Sequence, residues 1–175
     1  MSKALIVVNF VVAALAIMVF TAFFLPWANV EPGGVGTVSK FLGVDAHMDI
    51  KSISGYMVPK MANGPDAKLA MLVFQILCPG LKDADKKSFL IWVVPLLAMA
   101  MAIAIFSAGG NKWVNLAVAA IGIAVFIVGV YKIETTDLNK LVLDIHIGRG
   151  LWLTFWGYLG IGIAALANLA LSKRK

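Results

Sequence analysis

The chain has 175 residues, of which 61% are apolar and 14% are charged, and its mean hydropathy is +0.92. Soluble domains have about 45–50% apolar and about 25% charged residues, so this composition indicates a chain whose solvent is partly lipid. The single cysteine, Cys78, excludes an internal disulfide framework and a CxxC redox pair. The net charge of +6 falls outside the apolar segments and forms no basic domain, which excludes nucleic acid as a partner.

Four apolar stretches follow one another along the chain, at residues 4–25, 89–106, 113–131 and 151–171. A membrane helix needs about 20 apolar residues, and none of the four stretches contains Asp, Glu, Lys, Arg or His. We therefore predict an all-α integral membrane protein, a four-transmembrane-helix bundle that forms a single membrane domain over residues 1–175. Extracytoplasmic loops at 28–87 and 132–150 would carry a short strand and one or two short helices.

The first stretch resembles a secretion signal in its position but not in its length. A signal peptide has an apolar centre of about 7–15 residues and a small-x-small cleavage site, whereas this stretch ends in Leu25-Pro26-Trp27. Proline cannot continue a helix, and tryptophan favours the level of the lipid headgroups. We interpret the stretch as an uncleaved membrane helix that leaves the bilayer at Pro26.

The distribution of basic residues predicts the orientation. With four spans, both termini and the turn at 107–112 share one side, and that side holds Lys3, Lys112, Lys173, Arg174 and Lys175 with no acidic residue. Short basic segments stay in the cytoplasm and face anionic lipid. We expect a protein of the bacterial cytoplasmic (inner) membrane with both termini cytoplasmic. Aromatic residues at the outer span ends predict an interface belt of Trp27, Trp92, Tyr131, Trp152 and Trp156.

Three asparagines fall at a similar depth in the cytoplasmic half of the predicted bundle. Asn9 lies near the start of the first span, Asn115 near the start of the third, and Asn168 near the end of the fourth. An amide in hydrocarbon needs a partner, so we predict hydrogen bonds between helices through these residues. The alternative is that each asparagine reaches the headgroups separately.

Small residues at helical spacing predict close packing of the last two helices. The fourth span has Gly160 and Ala164 four residues apart, with Gly157 one turn earlier. The third span offers two further pairs, Ala120 with Ala124 and Gly122 with Gly129.

The outer loops contain patterns of regular structure. Residues 44–51 alternate between apolar and polar side chains, which predicts a strand. Residues 68–77 predict a helix too short to span, lying on the membrane surface or capping the bundle. Thr135 or Thr136 can cap a short helix that runs through Asp144.

Candidate chemistry is sparse. Asp45, His47 and Asp49 share one face of the strand predicted at 44–51, and together with His146 on the other loop they are weak metal candidates. A solvated polar face is the favoured interpretation of these residues. His146 is also a weak candidate for a pigment or haem ligand. We expect no enzyme, cofactor or metal, since GxSxG, HExxH and phosphate-loop motifs are lacking.

The layout resembles that of the claudin and PMP22-like tetraspan proteins: four spans, cytoplasmic ends and a long first outer loop that begins near Trp27. The resemblance implies a four-helix bundle with a strand-bearing first loop. Barrier function does not carry over, because the Gly-Leu-Trp and paired-cysteine signature of claudins is absent. The pair of segments Phe24-Leu25-Pro26-Trp27 and Ile53-Ser54-Gly55-Tyr56 also resembles small bacterial four-span proteins, which supply no activity.

These patterns predict a non-catalytic accessory or structural subunit of a larger membrane complex, or a self-associating membrane scaffold. Its partners would be membrane lipids and other membrane subunits or copies of itself. The alternative is a lipid-, pigment- or small-molecule-binding membrane protein, with its pocket beneath the 68–77 helix. A transporter component is less favoured, because the predicted spans lack the ionisable side chains that ion-coupled transport uses.

Overall fold

The computed structural model describes residues 3–30, 52–62, 88–108, 111–135 and 145–172. The described part of the chain is mostly helical and also contains a small sheet. In chain order the elements are α1 (Lys3–Ala22), β1 (Pro26–Val30), β2 (Ser52–Ser54), α2 (Met57–Ala62), a 3-10 helix (Ser88–Trp92), α3 (Val93–Ala108), α4 (Lys112–Thr135), β3 (Ile145–Ile147) and α5 (Arg149–Ser172).

Four of the described helices are long and apolar enough to cross a membrane, as the sequence predicts. They are α1, the 3-10 helix together with α3 as one run Phe89–Ala108, α4 and α5. The 3-10 geometry covers the first residues of the second run, where Pro95 removes a backbone donor from the first α-helical turn. The α1 helix ends at Ala22 and not at Leu25, so the predicted first span is too long at its end.

The contacts between residues divide the chain into two compact units. The helical unit contains Met1–Ala22, Val93–Tyr131 and Leu153–Lys175, and the sheet unit contains Phe23–Trp92 and Lys132–Trp152.

The helical unit packs around one apolar core. In α1 the buried positions Leu5, Asn9, Val12, Ala16 and Val19 recur every three or four residues, which is the spacing of a helix that presents one seam to its neighbours. The core cluster comprises Val12, Ala16, Val19, Ala98, Met101, Ala102, Ile105, Val118, Ala119, Tyr158, Ile161, Ala164 and Ala165.

The α5 helix runs antiparallel to both α1 and α4. Gly157 lies against Val19 of α1 and Asn168 bonds to Asn9, so the start of α1 and the end of α5 lie at the same end of this unit. On the α4 side, Gly129 lies against Phe155 and Gly122 lies against Gly162.

In the sheet unit, three strands form an antiparallel sheet in the order β2-β1-β3. The central strand β1 pairs Asn29 with Ser52 on one side and with His146 on the other. Because β1 and β3 are paired, Val30 and Ile145 lie on the same side of any membrane that the chain crosses. The chain therefore crosses an even number of times between them, which agrees with α3 and α4 as two spans.

The sheet corrects several expectations for the loops. The sequence predicts a strand in the first outer loop only at 44–51, but the structure has β1 at Pro26–Val30. Thr135 is the last residue of α4, and its Oγ1 donates to the Lys132 carbonyl oxygen at 3.5 Å. The predicted strand at 44–51, the predicted helix at 68–77 and residues 136–144 lie outside the described residues.

Candidate functional site

Two of the three predicted asparagines meet in the helical unit. Asn168 Nδ2 donates to Asn9 Oδ1 at 3.2 Å, and both side chains are buried. The bond joins the first and last membrane-length helices near their cytoplasmic ends as the topology predicts them. Within the described residues, Oδ1 of Asn168 is buried and accepts no hydrogen bond.

Asn115 is fully buried, and its amide bonds to the residue that precedes α4. Its Nδ2 donates to the carbonyl oxygen of Asn111 at 3.1 Å. Asn111 in turn caps α4, because its Oδ1 accepts from the backbone N–H of Trp113 at 2.9 Å. This bond of Asn115 supports the first turn of α4, and the bond between the other two asparagines joins separate helices.

The glycines of α5 permit its contact with α1. A Cβ at Gly157 would overlap Val19 Cγ2, and one at Gly160 would lie 3.0 Å from Leu15 Cδ1. Ala164 is buried in the same core cluster. Glycine at these positions lets the two helices approach each other more closely than larger residues would allow.

The contact of α4 with α5 uses one of the two predicted small-residue pairs in α4. A Cβ at Gly122 would lie 2.6 Å from the carbonyl oxygen of Tyr158, so the two backbones are nearly in contact there. Gly129 receives the ring of Phe155. Ala120 and Ala124 point the opposite way and are exposed.

The exposed side of α4 forms a straight stripe, which we call the α4 stripe. Its six members are spaced four and three residues apart in alternation, and three of them in succession are alanines. At its ends the stripe has large exposed side chains: Trp113 is 69% exposed, Ile127 is 58% exposed and Tyr131 is 62% exposed. The full stripe is Trp113, Ala117, Ala120, Ala124, Ile127 and Tyr131.

Aromatic rings fill the sheet unit around the end of the first span. Trp27 is only 4% exposed and stands edge-on to Phe23, with ring centroids 5.7 Å apart. Gly55 lies against both rings, where a Cβ would come within 2.7 Å of Phe23. The Tyr56 backbone N–H donates to the Phe23 carbonyl at 3.2 Å. The two segments 24–27 and 53–56, far apart in sequence, therefore meet in the fold.

The predicted interface belt divides by exposure. Trp27 is buried and Trp92 is half-buried, whereas Tyr131, Trp152 and Trp156 are exposed. Trp156 also packs on Phe126, with ring centroids 5.1 Å apart. The depth of these residues in a bilayer stays a prediction.

Of the candidate metal residues, only His146 lies among the described residues. His146 lies on β3 opposite Asn29 and is exposed. Asp45, His47, Asp49, Cys78 and Asp144 lie outside the described residues. Across the residues with described positions, no group of three His, Cys, Asp or Glu side chains is arranged to hold a metal ion.

Tyr158 is a structural residue that the sequence analysis did not single out. Its ring is fully buried in the core, and its hydroxyl donates to the carbonyl oxygen of Val94 in α3. A phenol in the middle of an apolar span signals such a bond, because a buried hydroxyl needs an acceptor. Gly148 was also missed; its N–H donates to the Trp27 carbonyl at 2.7 Å and extends the β1–β3 pairing.

The chain matches no protein-family model, no curated protein and no solved structure.

Proposed function

We propose that this protein is a non-catalytic membrane subunit that docks through α4, either on a larger membrane complex or on a second copy of itself. The α4 stripe is the observation that carries the proposal. Of the four membrane-length helices, α4 is the least covered by its own chain: 22% of its most apolar stretch is buried, against 44% for α5.

The shape of the α4 stripe suits another helix better than it suits fluid lipid. Alternating spacings of four and three residues keep the stripe facing a helix that crosses at a small angle. Ala117, Ala120 and Ala124 leave room for the partner backbone to approach closely, and close packing is a main source of attraction between helices in lipid. Trp113 and Tyr131 would close the two ends of the contact.

The test measures assembly mass with the chain kept in its native lipids. The monomer has a mass of 18.7 kDa, and we expect the wild-type chain in polymer-extracted membrane discs to travel in a larger protein assembly. Ala120→Leu fills the narrowest part of the α4 stripe and should release the monomer. Ala100→Leu is the matched control, since Ala100 is an exposed alanine on α3; it should leave the assembly intact.

Two outcomes would overturn the proposal. One is a wild-type chain that is monomeric in native lipids, and the other is an assembly that survives Ala120→Leu unchanged. A monomer that carries a stoichiometric extracted lipid or pigment would support the alternative function, whose expected pocket at residues 68–77 lies outside the described residues.

The location also belongs to the proposal. We place the protein in a bacterial cytoplasmic membrane with both termini in the cytoplasm. The support is the basic, acid-free character of the two ends and of the 107–112 turn.

A further inference from the structure

The sheet unit carries a mixed aromatic and cationic surface that the proposed docking does not use. Tyr56 lies between Phe24, at a centroid distance of 5.4 Å, and Trp92, at 6.0 Å. The ammonium of Lys60 stands 4.5 Å from the centre of the Tyr56 ring. We call this group, Phe24, Tyr56, Lys60 and Trp92, the Tyr56 ledge.

The Tyr56 ledge is attached to the chain at two span ends. Phe24 follows the last residue of α1, Ala22, by two positions, and Trp92 lies inside the candidate span Phe89–Ala108. Tryptophan and tyrosine side chains at span ends favour the headgroup region of a bilayer. A surface in that position would face phospholipid.

The exposed atoms of the Tyr56 ledge match the parts of a phospholipid. Phe24 is 47% exposed and the neighbouring Met57 is 40% exposed, which offers apolar surface to acyl chains. Lys60 is exposed and offers a cation to a phosphate. The ammonium of Lys60 lies over the face of the Tyr56 ring.

We propose that the Tyr56 ledge binds one anionic glycerophospholipid, with its phosphate on Lys60 and its acyl chains along Phe24 and Met57. Free phosphate would use the cation alone and leave the apolar surface uncovered. Tyr56 has a positioning role, because its ring face holds the ammonium through a cation–π contact. This site is separate from the α4 stripe, so either proposal can fail without the other.

The test is lipid retention by the full-length chain, measured by native mass spectrometry after reconstitution into nanodiscs of phosphatidylcholine with and without phosphatidylglycerol. We expect the wild type to retain one phosphatidylglycerol in preference to phosphatidylcholine. Lys60→Gln should lower that preference about fivefold, the effect of removing one basic residue at a membrane surface. Tyr56→Leu keeps the charge but removes the platform, and it should lower the preference as well.

Controls separate this site from general surface charge. Arg149→Gln removes another exposed cation of the same unit and should lower the preference clearly less than Lys60→Gln does. Helical content and melting temperature are compared in each variant to show that it is folded. Equal losses for Lys60→Gln and Arg149→Gln, displacement of the lipid by millimolar inorganic phosphate, or retention of a protein in place of lipid by the Tyr56 ledge would each overturn the proposal.

Discussion

At the scale of single residues, the bond between Asn9 and Asn168 ties the first membrane-length helix to the last. Both amides are buried at positions that otherwise hold apolar residues, so each loses water when the helical unit forms. Inside the helical unit the hydrogen bond offsets part of the free energy that the amides lose on leaving water. It also favours the register of α1 against α5 in which the two amides meet.

A double-mutant cycle measures this bond. Leucine resembles asparagine in size, so Asn9→Leu and Asn168→Leu remove the amides without leaving a large cavity. Each single substitution leaves the remaining amide without its partner. The double substitution removes both amides, so no unpaired amide remains. We expect a coupling of about 0.6 kcal/mol, and not above about 1.7 kcal/mol, in the free energy of unfolding measured by steric trapping. If the losses of unfolding free energy in the two single variants add up to the loss in the double variant, the bond does not stabilise the fold.

The two glycines of α5 that face α1 should respond differently to alanine. A methyl group at Gly157 meets the branched, fully buried Val19, which cannot move away. Gly157→Ala should destabilise by about 1–3 kcal/mol.

Gly160→Ala is its matched control. There the new methyl group meets the flexible end of Leu15, which can shift, and alanine favours the helix over glycine. Its stability should stay within about 1 kcal/mol of the wild type. The measurement is the unfolding free energy of the two variants side by side, and a larger loss at Gly160 would contradict the packing described for this contact.

At the scale of elements, α4 has two faces, and we predict that a larger side chain changes the unfolding free energy differently on each. Gly122 lies against the backbone of α5, and backbone atoms cannot yield as a side-chain end does. Gly122→Ala should therefore separate the two helices and cost about 3 kcal/mol.

The control for that prediction lies on the opposite face. Ala124→Val adds volume to the exposed α4 stripe and should leave the unfolding free energy of the monomer within about 0.5 kcal/mol of the wild type. A loss of monomer stability at Ala124 as large as that at Gly122 would mean that the outward face of α4 packs within its own chain.

The helices could be predicted from the sequence because hydropathy alone marks a span. The end of α1 could not, since Phe23, Phe24 and Leu25 are as apolar as the helix before them. The useful signal was Pro26, which disfavours helical geometry in the residue before it. Strands β1 and β3 are short and more than a hundred residues apart, so no local window reveals their pairing.

Which face of each helix is buried was also hidden from hydropathy, because these helices are apolar all round. The sequence singled out small residues and amides as contact positions. Gly122, Gly157 and Asn168 do lie at helix contacts, whereas Ala120 and Ala124 are exposed. In the sequence, every glycine and alanine is an equally good candidate for a helix contact. The fold determines which of them lie against a neighbouring backbone.

The pairing of β1 with β3 can be tested by a disulfide. Asn29 faces both His146 on β3 and Ser52 on β2. In a Cys78→Ser background, Asn29→Cys with His146→Cys should oxidise readily, because paired residues on adjacent strands are about 4.5–5.5 Å apart. The control pair, His146→Cys with Ser52→Cys, spans two strand spacings of about 10 Å in total and should stay reduced. Oxidation of the control pair alone would refute the strand order.

At the scale of the whole molecule, the sheet limits the possible topologies. Strand pairing puts Val30 and Ile145 on one side of the membrane, and the antiparallel contact of α1 with α5 puts the start of α1 and the end of α5 at one end of the helical unit. Both observations require alternating spans and a common side for the two termini. Neither observation tells which side is the cytoplasm. That assignment is predicted from the distribution of basic residues alone.

The assignment can be tested with single cysteines in the Cys78→Ser background and a maleimide that does not cross membranes. Lys3 belongs to the basic, acid-free side, and His146 belongs to the strand that pairs with the residues after the first span. In intact cells His146→Cys should react, whereas Lys3→Cys should react only after permeabilisation, because short basic segments stay in the cytoplasm. The opposite labelling pattern would show that the protein has the inverse orientation in the membrane, with the same fold. Labelling of both sites from outside would contradict the single first span itself, since α1 alone separates Lys3 from β1.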